Sequence, residues 1–277
     1  MKPPRKWNMI RPGFLIPVFF LSCYPGSGQV PWQESSVSAV GGCFASRTGL
    51  TDGRYNQAGL GWIEHHSLSV QHARPFILCD LGISSLSIQV PAKTGGFGAT
   101  LSSFGITGLR QTSTWISYGL KLHPDLSAGL GLHFWNSSIR EHSLYHFGAS
   151  CALGIRFRIN QNLFLGAHVM HPVSWPDREP DTVYRLMMIS TGFSYTFFKS
   201  TTYHSDLHIL PEGTLQWCHG LEHHLSESIK ILLGMHNRPY SVSGGITVRH
   251  NRWSITIAFA YRIDTGTTPS SSLSYAW

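Results

Sequence analysis

The stretch WSITIAFAY, from Trp253 to Tyr261, decides the fold. Bulky apolar or aromatic residues occupy every second position, and only serine, threonine and alanine lie between them. A period of two predicts a β-strand with two unlike faces. In a water-soluble sheet the second face carries charged or strongly polar side chains, whereas here it is merely small. The pattern therefore favours a strand whose large face contacts lipid and whose small face lines a narrow interior.

The same alternation recurs along the chain and predicts a repeated strand-and-turn unit. Residues that favour turns separate the alternating runs. At roughly eighteen residues per unit, the mature chain would hold about 12–14 strands, which is typical of a transmembrane β-barrel. The runs are 116–122, 128–134, 149–159, 163–169, 193–197 and 229–236, and the turn signals lie at 93–96, 123–125, 160–162, 237–239 and 250–251.

Composition supports a membrane barrel. Charged residues make up only 13% of the 277 residues, too few to cover a soluble globule comfortably, while aromatics reach 12%. We therefore predict an all-β fold, a closed antiparallel transmembrane β-barrel with a short N-terminal lumen segment. The alternative is a periplasmic or secreted β-sandwich, which also has short alternating strands. It accounts poorly for large apolar residues on one face of run after run.

The first 28 residues are typical of a secretory signal peptide. Lys2, Arg5, Lys6 and Arg11 precede the apolar run at 14–24, which is too short to span a bilayer as a helix. The alternative is a lipoprotein cleaved before Cys23. Much of the basic character lies in this leader, and no Lys/Arg cluster in the rest suggests nucleic-acid binding. We expect export to the outer membrane of a Gram-negative bacterium, with outer-membrane lipid as a partner.

Charged and histidine residues on the small face are candidates for the lumen wall, because water in the lumen can hydrate them. Tryptophans near the ends of runs are candidates for the aromatic girdle at the membrane interfaces. The lumen candidates are Lys121, His133, Arg156, Arg158 and His168, and the girdle candidates are Trp115, Trp135, Trp175 and Trp253.

The final residues, SSLSYAW, place Leu273, Tyr275 and Trp277 on one face and end on an aromatic residue. This ending resembles the C-terminal signal of outer-membrane barrels, which the barrel assembly machinery recognises. The resemblance implies that machinery as a partner during insertion.

Catalytic and cofactor motifs are missing from the sequence, and we expect neither an enzyme nor a cofactor. There is no G-x-S-x-G, no P-loop, no G-x-G-x-x-G after a strand and no zinc-type cysteine pairing. The pairs Glu64/His66 and Glu222/His224 could converge on a transition metal. The simpler interpretation, which we favour, is polar residues at strand ends and no metal site.

Other features are interpreted more simply. Cys43, Cys79, Cys151 and Cys218 are far apart and are expected to be free rather than paired. Residues 176–181 fit a solvated loop or a partner-contact loop. We expect an elaborate excursion only at residues 199–228, which are long enough for one.

Residues 39–62, AVGGCFASRTGLTDGRYNQAGLGW, contain a discrete motif. It resembles the start of FadL-like outer-membrane barrels, especially the PorV/PorQ branch of Bacteroidota, in which a small-residue strand and an acidic turn precede Asn-Pro-Ala-Gly-Leu. Gln57 stands in place of the proline. The matching residues are Asp52, Tyr55, Asn56, Ala58, Gly59 and Leu60.

The resemblance implies a barrel of about fourteen strands. We divide the chain into three parts: the signal peptide at 1–28, a segment 29–60 with the first strand and the motif, and the barrel at 61–277. PorV-type members are non-enzymatic components of type IX secretion that contact secreted proteins or other secretion components. FadL-type members pass small hydrophobic molecules. Because the chain is short and lacks the proline, we expect an interaction component of type IX-like secretion or surface assembly, with the passive channel as the alternative.

Overall fold

The computed structural model describes residues 33–47, 49, 53–78, 81–106, 108–139, 144–176, 187–210 and 213–277. The expected signal peptide, Asp52, Cys79 and most of the 176–181 stretch lie outside these residues.

The described chain forms a closed barrel of fourteen antiparallel strands, so the predicted fold class is confirmed. Each strand pairs with its neighbours in sequence, and β1 closes the sheet by pairing with β14. The strands are β1 Ser67–Ala73, β2 Gly82–Ala92, β3 Gly95–Ile106, β4 Leu109–His123, β5 Leu126–Ile139, β6 Leu144–Arg158, β7 Leu163–Pro176, β8 Met188–Phe197, β9 Thr201–Ile209, β10 Leu215–His224, β11 Ile229–Asn237, β12 Tyr240–His250, β13 Trp253–Arg262 and β14 Gly266–Ala276.

Strand β13 shows which face of the sheet points outward. Ile257 points outward and leaves 65% of its surface exposed, whereas Ala258 points inward and is 2% exposed. The neighbouring strands repeat this arrangement, since Ile246 lies opposite Ile257 and is also exposed. A soluble β-sandwich would bury such residues between two sheets, so that alternative does not fit a single closed sheet with its large apolar side chains outside.

Short turns join the strands at the predicted positions. Pro124 and Asp125 connect β4 to β5, and Asn251 connects β12 to β13. In the β6–β7 turn the Asn160 side chain accepts hydrogen bonds from the backbone N–H groups of Asn162 and Leu163, at 2.8 and 2.9 Å. Such local side-chain bonding stabilises a tight turn.

Two expectations about organisation are wrong. Residues 199–228 are not an excursion, because they contain β9 and β10. Several outward residues of these strands are polar, which obscures the apolar alternation. The described part of 29–60 holds no strand, and the first strand begins at Ser67. Gly41 and Gly42 adopt positive φ angles of 70° and 88°, which bend this part of the chain away from an extended conformation.

Residues 33–47, 49 and 53–62, hereafter the lumen segment, lie inside the barrel. Its helix α1, Ser35–Ala39, contacts β11 to β14, while its 3₁₀ helix, Gln57–Trp62, contacts β3 to β6. The segment therefore crosses from one wall to the other. No helix in the described ranges is long and apolar enough to span a bilayer.

Candidate functional site

The lumen segment and the wall residues that hold it form the candidate site. An apolar contact anchors one side: Val40 and Cys43 of the segment pack against Cys218, Leu232 and the wall around them. Cys43, Cys151 and Cys218 are free thiols, as expected. Burial raises the pKa of the Cys43 thiol well above its ordinary value, so the segment carries an unreactive thiol while it stays in the lumen.

Asn56 joins the segment to the opposite wall. Its side-chain oxygen accepts the backbone N–H of Ala58 at 3.2 Å and so caps the 3₁₀ helix. Its amide nitrogen lies 2.5 Å from the carbonyl oxygen of Ala45, 3.2 Å from that of Ile155 and 3.4 Å from that of Ala167. The side chain is fully buried. One amide thus joins two parts of the segment to β6 and β7.

Glycines in the wall let the backbone of the segment approach closely. A Cβ added at Gly129 of β5 would overlap the backbone of Gln57 and Ala58, and one at Gly154 of β6 would overlap the side chain of Asn56. Any larger residue at these positions would therefore move the segment. The small inner face of the strands, recognised in the sequence, leaves room for this segment inside the barrel.

Asp206 of β9 holds the middle of the segment. One carboxylate oxygen accepts the backbone N–H groups of Phe44 and Ala45, at 2.6 and 2.7 Å. The other oxygen packs against Gly192, where a Cβ would overlap it. Asp206 is 1% exposed. A buried carboxylate is costly unless it is hydrogen-bonded. The two amides bond one oxygen of Asp206, and the other oxygen has no hydrogen-bond partner among the described residues.

Glu222 of β10 is the second anchor. Arg47 of the segment donates its Nε to Glu222 Oε1 at 2.5 Å, and Lys230 Nζ lies 2.8 Å from Oε2. His204 Nε2 is 3.2 Å from Oε1. Arg156 of β6 donates to the backbone carbonyl of Arg47 from the far side. A carboxylate with several cationic or donor partners at once favours its charged form.

Phe44 lies in an aromatic cluster beside these anchors. Its ring stacks on His208 with centroids 4.8 Å apart, and it contacts Tyr55 at 5.0 Å and His168 at 5.9 Å. The Tyr55 hydroxyl accepts the backbone N–H of Glu34 at 2.8 Å. Burial raises the pKa of Tyr55 to about 12. The phenol therefore stays neutral at any physiological pH.

A second aromatic cluster lines the lumen on β4 to β7. Trp115 stacks on His133 with centroids 4.1 Å apart, and Trp135 lies 5.3 Å from the same imidazole. His171 lies 5.3 Å from His133 and forms a 2.7 Å hydrogen bond with Ser150 at a bulge between β6 and β7. Trp115 and Trp135 are 2% exposed. Their predicted place in an outer girdle is wrong, because their positions in the alternation point inward; Trp175 and Trp253 are exposed.

The predicted lumen residues lie in two kinds of place. His133, Arg156 and His168 point inward and are buried, and Arg156 and His168 contact or approach the lumen segment. Arg158 lies at the strand end, where it donates to Asp125 of the adjacent turn at 2.9 Å. Lys121 is exposed at the end of β4. Only the first group belongs to the candidate site.

The C-terminal residues lie at the seam of the barrel. Trp277 stacks on His66 with centroids 5.5 Å apart and exchanges two backbone hydrogen bonds with it. Tyr275 contacts Trp253 at 4.7 Å, and Leu273 is exposed on the outer face. His66 therefore contacts the C-terminus, and Glu222 contacts Arg47. Among the residues that the structure describes, no group of three potential metal ligands occurs.

Sequence reasoning missed Asp206, Arg47, His204 and Lys230, and it considered Glu222 only as a metal ligand. A usable signal existed for Asp206: an acidic residue on the small face of a strand, between His204 and His208. Such a group inside a membrane barrel needs a partner. The alternation alone does not show that the partner is the N-terminal segment.

Comparisons with known proteins show a likeness of fold to solved outer-membrane barrels. No family model matches the chain, and no curated protein matches it. Solved structures do: the Ralstonia pickettii toluene transporter TbuX has 12% identity and a TM-score of 0.64 and covers 90% of this chain and 98% of its own. The Pseudomonas putida toluene transporter TodX has 11% identity and a TM-score of 0.67, with 88% and 97% coverage.

A Pseudomonas aeruginosa FadL homologue has 10% identity and a TM-score of 0.58, with 89% and 97% coverage. At these identities the likeness concerns the fold. The chain thus has the fold of FadL-type outer-membrane barrels, which is the broader part of the resemblance inferred from Asn56 to Leu60.

Proposed function

We propose that this protein is a non-enzymatic outer-membrane channel that passively admits small hydrophobic molecules. The observation that carries the proposal is the lumen segment, which crosses the barrel and is held on both sides by buried anchors. A lumen filled in this way does not provide the wide aqueous path of a general porin. The likeness in fold to two proteins described as toluene transporters supports the same proposal.

The outer surface supports the proposed location. Large apolar side chains alternate around the whole barrel and are half exposed, among them Leu101, Leu153, Leu233 and Ile255. A lipid environment would bury them, whereas in water they would form an apolar patch far larger than monomers tolerate. Outer-membrane lipid and, during insertion, the barrel assembly machinery acting on Leu273, Tyr275 and Trp277 are the partners this location requires.

The test is uptake by whole cells, because small hydrophobic molecules cross plain phospholipid without help. The chain is expressed in a bacterium that lacks its own hydrophobic-molecule channel, and uptake of radiolabelled toluene and of a fatty acid is followed at low concentration. Uptake above the rate of cells with the empty vector supports the proposal. Equal rates, with the barrel shown to be folded in the outer membrane, contradict it.

A role in type IX-like secretion or surface assembly is our second hypothesis. It depends on the narrower resemblance of the motif to the PorV/PorQ branch of Bacteroidota, and none of the similar structures named above is described as a secretion component. Affinity purification from native outer membranes tests it. Stoichiometric recovery of a secreted protein or secretion component would support this role, and recovery of the barrel alone would count against it.

A further inference from the structure

Two of the free thiols lie together inside the barrel. Cys43 of the lumen segment and Cys218 of β10 belong to one buried apolar cluster, and both are at most 1% exposed. Cys151, the third free thiol of the described residues, lies on β6 and outside this cluster. Nine strands, β1 to β9, separate the two clustered cysteines in the sequence. Their proximity is therefore a product of the fold and has no local sequence signal.

The lumen segment lies directly against the wall on the N-terminal side of Cys43. A Cβ added at Gly41 would lie 2.7 Å from the carbonyl oxygen of His219 and closer still to the backbone of Met235. His219 is the residue that follows Cys218. The two backbones therefore meet two residues before one cysteine and one residue after the other, an approach that glycine permits because it has no side chain.

Contacts on the C-terminal side of Cys43 lead to the same part of the wall. Asp206, which accepts the backbone N–H of Phe44, lies opposite Cys218 in the pairing of β9 with β10. The Cys43 sulfur itself lies 3.9 Å from the carbonyl oxygen of His204 on β9. Both flanks of Cys43 are thus held beside residues that adjoin Cys218. A disulfide needs this closeness, because its two Cα atoms lie only about 4.4–6.8 Å apart.

We propose that Cys43 and Cys218 form a disulfide bond that fixes the lumen segment to the wall, and that the structure shows the reduced form. The bond closes a loop of nine strands, and long loops gain most from a cross-link because the open chain has more freedom to lose. The proposal concerns how the segment is held and does not depend on the channel function.

The oxidant is a protein or small-molecule disulfide of the periplasm, an oxidising compartment. The thiolate of one cysteine attacks the disulfide of the oxidant, which releases one oxidant thiol and leaves a mixed disulfide. The thiolate of the second cysteine attacks the protein sulfur of this intermediate and releases the second oxidant thiol. Two electrons pass to the oxidant, and its two released sulfurs take up the two protons. Because both cysteines are buried in the closed barrel, the exchange precedes closure, and burial then protects the bond.

The test is peptide mapping of the full chain after refolding with oxidised or with reduced glutathione. We expect a peptide pair linked through Cys43 and Cys218 in most of the oxidised protein and in none of the reduced protein. Cys151→Ser should keep this link, and Cys218→Ser should abolish it. A folded, oxidised barrel in which Cys43 stays free or is linked to another cysteine would overturn the proposal, as would a link that prevents the barrel from folding.

Hydrogen exchange shows whether the bond holds the segment. Glu222→Gln removes one polar anchor of the segment. In this variant, exchange of residues 44–47 should be at least about tenfold slower in the oxidised than in the reduced protein. The matched control combines Glu222→Gln with Cys218→Ser, and there the oxidant should have no effect. Equal exchange in the two forms of Glu222→Gln, with the link present, would also refute the proposal.

Discussion

Arg47 and Glu222 form an ion pair of 2.5 Å between the lumen segment and the barrel wall, and both side chains are about one-tenth exposed. The two residues are 175 positions apart in the sequence. Together with Asp206, this pair fixes residues 44–47 across the lumen. These polar contacts add to the apolar packing of Val40 and Cys43 against the wall.

Removal of the Glu222 charge should loosen the segment. Glu222→Gln removes the carboxylate that Arg47 and Lys230 share, and breaking a buried ion pair from one side costs about 3–5 kcal/mol. We expect the buried Cys43 to become accessible, which maleimide labelling followed by mass spectrometry of its peptide detects. Asp264→Asn is the control, since the Arg262–Asp264 pair is exposed in a turn. Equal Cys43 labelling in all three proteins would contradict this role.

The two substitutions of Asp206 should loosen the lumen segment to different extents. Asp206→Ala leaves the N–H groups of Phe44 and Ala45 unpaired in a buried place, at about 1–3 kcal/mol each. Asp206→Asn keeps an acceptor oxygen and loses only the charge, so its effect should be smaller. Amide hydrogen exchange of residues 44–47 measures both effects. We expect exchange to be fastest in Asp206→Ala, slower in Asp206→Asn and slowest in the native protein. Indistinguishable rates would refute the anchoring role.

Asn56 should tolerate alanine better than aspartate. Alanine removes the cap and the donor, but aspartate places a carboxylate against the carbonyl oxygens of Ala45, Ile155 and Ala167, which only a donor can satisfy. Asn56→Ala should lower the free energy of unfolding by about 1–3 kcal/mol, and Asn56→Asp should lower it more. Urea unfolding of the refolded barrel checks the order. The reverse order would mean that the amide does not face those carbonyls.

Gly129 should be sensitive to a single methyl group. Gly129→Ala places a Cβ on the backbone of Gln57 and Ala58, and overpacking of this kind costs about 1–3 kcal/mol. The segment should shift, and Cys43 labelling should rise. Gly49→Ala is the matched control, because no atom lies within 4 Å of a Cβ there. A rise in both variants would indicate a general loosening rather than a local clash.

Tyr55 should make the segment sensitive to alkaline conditions. Its pKa is about 12 in the folded protein and near 10 when unfolded, so the buried phenol stays neutral while the unfolded one ionises. The contribution of neutral Tyr55 to the free energy of unfolding is complete below pH 10. It falls by up to about 3 kcal/mol as the pH rises to 12. Tyr55→Phe should flatten the pH dependence of Cys43 protection over this range. A slope that persists in Tyr55→Phe would assign it to another group.

The sequence predicted the fold because alternation is local. Trp253 to Tyr261 contains all that is needed to assign a strand and its outward face, and the turns at Asn160 and Asn251 mark strand ends directly. The site was harder, since a period of two shows which face a residue occupies and not what it contacts. Trp115 and Trp135 occupy inward positions in the alternation of β4 and β5, yet their large side chains favoured their assignment to the aromatic girdle. The Arg47–Glu222 pair has no local signal.

Strands β9 and β10 were missed for a specific reason. Thr201, Tyr203 and Ser205 occupy outward positions where other strands hold leucine or isoleucine, so both faces of β9 are polar until Leu207 and Ile209 near its end. The place where the barrel pattern is weakest in the sequence is therefore the place where the outer wall carries hydrogen-bonding groups.

The seam between β1 and β14 joins the first and last strands of the barrel, and Trp277 is part of it through its backbone hydrogen bonds with His66. The sheet therefore cannot close into a barrel until β14 is present. The lumen segment precedes all fourteen described strands in the sequence, so it is available to dock while the sheet is still open. Pairing of β1 with β14 can then enclose the lumen segment, which does not have to enter a barrel that has already closed.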